Sequence, residues 1–171
     1  MKSIRHYLFI FFSGICFMAL GQSGIVEDRL SELGIHLPET EPPLANYVKY
    51  RIVGDLCYLA GHVPEVTGTL GRELTVEEGY RAARQTGIQM LSTLKHALGD
   101  LDRIEQFVKV EGMVNCTSDF TDHSKVINGF SDLMVEVFGD KGKHARVALG
   151  HNSLPGNRAV EISAIVQIDS I

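Results

Sequence analysis

The chain has 171 residues, 44% of them hydrophobic, which suits a single domain with a sizeable core. Its net charge is −5, with 16 Lys and Arg against 21 Asp and Glu, and it has no basic run and no basic–aromatic interleaving. That balance argues against a general nucleic-acid binder, because phosphate contacts need clustered Lys and Arg.

Residues 1–21 read as a secretory signal peptide. Lys2, Arg5 and His6 make a basic start, an apolar run covers 7–20, and Ala19 and Gly21 are the small residues at −3 and −1 of a cleavage after Gly21. The run is short for a membrane span, which needs about 20 residues, and an uncleaved anchor is the alternative. Ile15 before Cys16 argues against a lipoprotein. Cleavage would remove Lys2 and Arg5, taking the charge from −5 to −7, and the product is expected to be exported, periplasmic or secreted, and free of the membrane. Cys57 and Cys116 would remain. Export permits a disulfide, but two cysteines in unrelated predicted strands read as buried thiols, and no Cys-x-x-Cys pair points to zinc or redox chemistry.

Residues 22–46 are an N-terminal extension, and the domain proper is expected over 47–171. A short amphipathic helix is predicted over 25–33 (Ile25, Val26, Leu30, Leu33), ended by Gly34, with a Pro-containing loop after it. Strands over 47–53 and 56–62 flank a Gly54-Asp55 turn. Thr75 and Glu78 form a capping box that opens a long helix. Its stripe is Val76, Tyr80, Ala83, Gly87, Met90, Leu94 and Leu98, and Gly99 stops it. A strand covers 104–116. Asp119 is expected to cap a further helix that buries Val126, Phe130, Leu133 and Val137 and ends at Gly139.

The closing segment, 144–168, reads as two strands joined by a Pro155-Gly156 loop. A hairpin centred between Ser153 and Leu154 places Arg146 opposite Glu161. Val147, Leu149, Val160, Ile162, Ala164, Val166 and Ile168 then share a core face, and Arg146 and Glu161 share the other with Ala148, Ala159 and Ser163. A cation and a carboxylate on a floor of small side chains suit a small ligand. They equally suit a plain cross-strand ion pair, worth about 0.2–1 kcal/mol. The order ββ-α-β-α-ββ implies an α+β domain with both helices on one face of a mixed sheet. The bare opposite face suits cover by another copy.

Tyr47-Val48 at the first strand, Ala60-Gly61-His62-Val63-Pro64 closing the second, and Ala145-Arg146…Leu154-Pro155…Val160-Glu161-Ile162 together resemble the RidA/YjgF family of reactive-intermediate deaminases, some of which carry the label L-PSP endoribonuclease. The resemblance covers about 45–168 and looks like a divergent branch. It implies a chorismate-mutase-like fold and a homotrimer with a central barrel, helices outside and a cleft at each subunit interface. It also implies that Arg146 binds a substrate carboxylate, that Glu161 positions the attacking water, and that Tyr47 lines the cleft. Gly61 and His62, at the end of the second strand near that cleft, are further candidate substrate-binding residues. The fifteen-residue separation of Arg146 and Glu161 matches the family. The chain has Ala60 and Ala148 where founders have serine and cysteine, and Ser124 and Asn128 both stand as matches for a cleft asparagine on the second helix of the domain.

Hydrolysis of a 2-imino acid needs a grip on the carboxylate and a placed water, with no metal or cofactor. The planar guanidinium fork suits the first task, and a carboxylate acting as general base suits the second. Three functions stand side by side. The first is an imine or enamine deaminase. The second is a trimer that holds a small carboxylate metabolite without turning it over, which Ala60 and Ala148 favour. The third is a ribonuclease, which the acidic balance disfavours.

Overall fold

The computed structural model describes residues 24–169. The expected signal peptide, 1–21, lies outside the described residues, and among those described no helix is long and apolar enough to cross a membrane.

Helix α1 (Ile25–Glu32) buries Val26 and Leu30, and Gly34 follows it at φ +66°. Gly24 precedes α1 without a side-chain cap. The Asp102 carboxylate caps it from a distance, accepting from the N–H groups of Ile25 at 2.7 Å and Val26 at 2.9 Å. Lys95 pairs with Glu27, and Ser92 donates to the Pro38 carbonyl, so the extension is strapped along the helix layer.

Strands β1 (Tyr50–Val53) and β2 (Leu56–His62) pair antiparallel about Gly54. Tyr47 therefore lies in the segment before the sheet, three residues ahead of β1, where a strand start is expected from the sequence. The capping box opens α2 (Val76–Leu98) as predicted: Thr75 Oγ1 accepts from the Glu78 N–H, and Glu78 Oε2 accepts from the Thr75 N–H at 2.8 Å. Strand β3 (Ile104–Asn115) leads to α3 (His123–Phe138). The residue at the α3 N-cap is Asp122, and Asp119 instead bonds Thr117 in the preceding turn. The chain closes with β4 (Ala145–His151) and β5 (Val160–Ile168).

The five strands form one mixed sheet in the order β1-β2-β5-β3-β4, in which only β3–β4 is parallel. Helices α2 and α3 cover one face, and Met90, Leu94, Phe107, Phe130, Leu133 and Ile162 fill the space between. This is the α+β class expected from the element order.

The closing strands are not a hairpin. β3 lies between them, running parallel to β4 and antiparallel to β5. β3, α3 and β4 form a parallel crossover unit, and the connection over 152–159 then spans the end of β3, a gap of about 9.5 Å at two strand spacings. The register follows. Arg146 pairs with Val110 and Val147 with Glu111, whereas Glu161 pairs with Met113. Val160, Ile162, Ala164, Val166 and Ile168 are buried as expected, but Val147 and Leu149 are 42% and 54% exposed. Side chains alternate along a strand, so Arg146 and Ala148 face the helices with Val110, and Glu161 and Ser163 face the open side with Val147 and Leu149.

Candidate functional site

Arg146 sits on the edge strand β4 and reaches α3. Its Nη1 donates to Asn128 Oδ1 at 2.9 Å and to Ser131 Oγ at 2.9 Å. Ser131 Oγ lies 3.0 Å from His144 Nε2, and His144 Nδ1 lies 2.7 Å from the Gly142 carbonyl oxygen. Both hydrogens of Nη1 thus have acceptors, and no acceptor among the described residues takes Nε or Nη2. Those two nitrogens form the side-on fork that matches a carboxylate. Burial pushes the His144 imidazole below its ordinary value, the Gly142 carbonyl opposes, and the Arg146 cation pushes it down further.

Glu161 on β5 lies against Gly61 on β2, where the β2–β5 register shifts between Leu59 and His62. A Cβ built on Gly61 would meet Glu161 Oε1 at 2.0 Å, so the carboxylate occupies the space that any other residue would fill. No donor among the described residues bonds the Glu161 carboxylate. Tyr47 is half exposed and lies two residues before Lys49, whose carbonyl receives the Ala60 N–H, at the Gly61 end of β2. His62 points the other way, into the core. It is 5% exposed, with Nδ1 2.8 Å from the Ala60 carbonyl and Nε2 2.9 Å from Thr93 Oγ1. Burial lowers its pKa, partly opposed by the Ala60 carbonyl and reinforced by Lys49.

The structure therefore makes two groups of the expected residues. Gly61 and Glu161 touch on the open side of the sheet, near Tyr47. Arg146 stands apart, on the helix side and across β3. Within one chain these groups face opposite directions.

Of the two matches for the cleft asparagine, Asn128 is the one that bonds Arg146. Ser131 and His144 were not anticipated. Ser124, Asn128 and Ser131, at spacings of four and three, form a polar stripe on α3 that carries a signal. The place of His144 depends on β4 lying beside α3, which local pattern does not show.

Cys57 and Cys116 are both buried free thiols, and burial pushes Cys57 up to about 11. Among the described residues one carboxylate set converges, Glu27 with Asp100 and Asp102. Lys95 takes Glu27 Oε1, the Asp102 N–H takes Asp100 Oδ1 and the α1 amides take both Asp102 oxygens, while Glu27 Oε2 is buried without a hydrogen-bond partner among the described residues.

The family profile described as "YjgF/chorismate mutase-like, putative endoribonuclease" matches residues 27–166. Protein TCP17 of Trypanosoma cruzi is 42% identical over 160 residues, which is 90% of this chain and 100% of that protein. The crystal structure of Atu1372 from Agrobacterium tumefaciens, a protein of unknown function, is 43% identical with a TM-score of 0.79, over 85% of this chain and 93% of that one. A structure from Shewanella oneidensis, described as a "putative endoribonuclease", is 34% identical with a TM-score of 0.81, over 84% and 99%. Profile, relatives and mixed-sheet topology agree, and the chain belongs to the YjgF/chorismate-mutase-like family.

Proposed function

We propose that this protein hydrolyses small carboxylate-bearing imines or enamines in a cleft shared between copies of the chain, as a homotrimer of the RidA type. The observation that carries the reading is the Arg146 guanidinium, fixed through Nη1 with its Nε–Nη2 edge unpartnered among the described residues. That edge suits a carboxylate, with two parallel charge-assisted hydrogen bonds. Arg146 and Glu161 face opposite sides of one sheet, so a ligand that touches both takes Arg146 from one protomer and Glu161, Gly61 and Tyr47 from its neighbour.

With the carboxylate on Arg146, water adds to the electrophilic imine carbon and Glu161 accepts one of its protons. Starting from the protonated imine, this addition gives a neutral carbinolamine. The proton then returns from Glu161 to nitrogen, the C–N bond breaks, and the hydroxyl proton passes to the departing ammonia, giving a 2-keto acid and ammonium. General-base help of this kind is worth roughly 10²–10⁴ in rate. The reading of residues 1–21 as a signal peptide supports an exported site of action.

The test is ammonia release from freshly generated 2-aminoacrylate or a larger 2-imino acid. Release that falls by at least tenfold in Arg146→Ala is the expected result. Release unchanged in that variant overturns the site. No release, with a carboxylate that still raises the melting temperature through Arg146, identifies a metabolite-binding trimer, the reading favoured by Ala60 and Ala148. RNA cleavage lost in the Arg146 variant would instead favour the ribonuclease.

A further inference from the structure

Two side chains behind Arg146 have no role in the scheme above. Ser131 is half buried on α3, and His144 packs against the Phe107 and Phe130 rings, with ring centroids 6.4 Å and 6.1 Å away. We propose that Ser131 and His144 are positioning residues for Arg146. His144 takes the Ser131 hydroxyl hydrogen, Ser131 oxygen thereby accepts from Nη1, and the guanidinium is held with its Nε–Nη2 edge turned to the carboxylate of the ligand. The inference rests on the carboxylate reading of Arg146.

The assignment follows from donors and acceptors. The Gly142 carbonyl can only accept, so His144 Nδ1 carries the hydrogen of the 2.7 Å contact. In a neutral imidazole Nε2 is then bare and can only accept. Burial and the nearby Arg146 cation both favour the neutral ring. Ser131 must therefore donate to Nε2 across 3.0 Å, which leaves its lone pairs to Nη1. Asn128 Oδ1 takes the other Nη1 hydrogen. One arrangement satisfies every group, and it fixes the plane of the guanidinium. The free edge then offers two parallel N–H bonds, which a planar two-oxygen anion matches. Because the fork is pre-set, binding need not immobilise a long side chain.

NMR of the full-length protein tests this, with the Arg146 Nε–H signal assigned by its loss in Arg146→Lys. The expected result is an unprotonated His144 Nε2 and an Arg146 Nε–H as ordered as the backbone. That order falls in Ser131→Ala and in His144→Phe and returns in Ser131→Thr. Benzoate moves the Arg146 signal in the wild type and binds roughly tenfold more weakly in the two relay-breaking variants. Unchanged Arg146 order in folded Ser131→Ala overturns the positioning role, whatever benzoate does. An ordered Arg146 that benzoate fails to move, with order lost in Ser131→Ala, keeps the relay and overturns the carboxylate reading. Should His144→Phe not fold, the Ser131→Ala and Ser131→Thr pair decides alone.

Discussion

A methyl group on Gly61 would lie 2.0 Å from Glu161 Oε1 and 2.8 Å from Cδ, so Gly61→Ala must push the carboxylate aside. The displaced atoms are the end of a flexible side chain, so the fold yields easily. The expected outcome is a melting temperature within about 2–4 °C of wild type, a change of order 1 kcal/mol or less. Ammonia release falls as far as in Glu161→Gln. Full activity in Gly61→Ala would remove Glu161 from the site. His62 carries a second prediction at this scale. Its ordinary pKa is 6.5, and burial holds it lower in the fold. As pH falls through 6.5 the unfolded chain takes up a proton before the folded one does, so stability drops with acid until the depressed folded value is passed. Melting between pH 7.5 and 5 should show that decline, and His62→Gln should flatten it, since glutamine keeps hydrogen-bonding capacity without titrating there. An identical slope in both proteins would assign the decline to other groups, His144 among them. Arg146 and Glu161 were legible as chemistry because a cation and a carboxylate stand out in strands of small residues. Ser131 was legible only as part of a polar stripe on α3, and its tie to Arg146 was not, because that depends on His144 from another element lying beside it.

Elements were read well where the signal is local. The Thr75–Glu78 box, the α2 stripe and the glycine stops after α1, α2 and α3 rest on neighbours within a few turns of chain. Strand pairing is not local, and the apparent 145–168 hairpin shows why. Two short strands with a turn between them usually pair, and nothing in their own residues reveals that β3, thirty residues earlier in the chain, fills the gap. The reversal of Val147 and Leu149 to the open face follows from that one insertion. Helix packing has its own test at Gly129. A Cβ there would sit 2.0 Å from the Tyr80 carbonyl oxygen, a backbone atom of α2 that cannot swing away. Gly129→Ala must separate α2 from α3, and overpacking of this kind costs about 1–3 kcal/mol. Urea unfolding should show the loss as a lower midpoint at unchanged slope. A midpoint equal to wild type would mean that the helices have slack at this crossing.

At the scale of the whole molecule, the proposed site calls for two copies of the chain, and the open sheet face carries only its Glu161 half. It exposes Val53, Tyr58, Val147 and Leu149 beside Glu161, and among the described residues no helix covers it. Apolar side chains that share a face in this way suit cover by another copy. The fold thus separates two contributions that a single substitution at Arg146 cannot separate: the chemistry of the residues and their meeting between copies. A Val147→Lys, Leu149→Lys double variant does so. Both positions are exposed in the chain, so the variant should fold with wild-type circular dichroism and an intact Arg146–Asn128 contact. Light scattering should give three times the chain mass for the wild type and the chain mass alone for the variant, since three pairs of added charges facing one another oppose assembly. If Arg146 of one protomer works with Glu161 of the next, that folded monomer releases no ammonia although it keeps both residues. Full activity in a monomer would confine the site to one chain and would require Arg146 or Glu161 to act without the other.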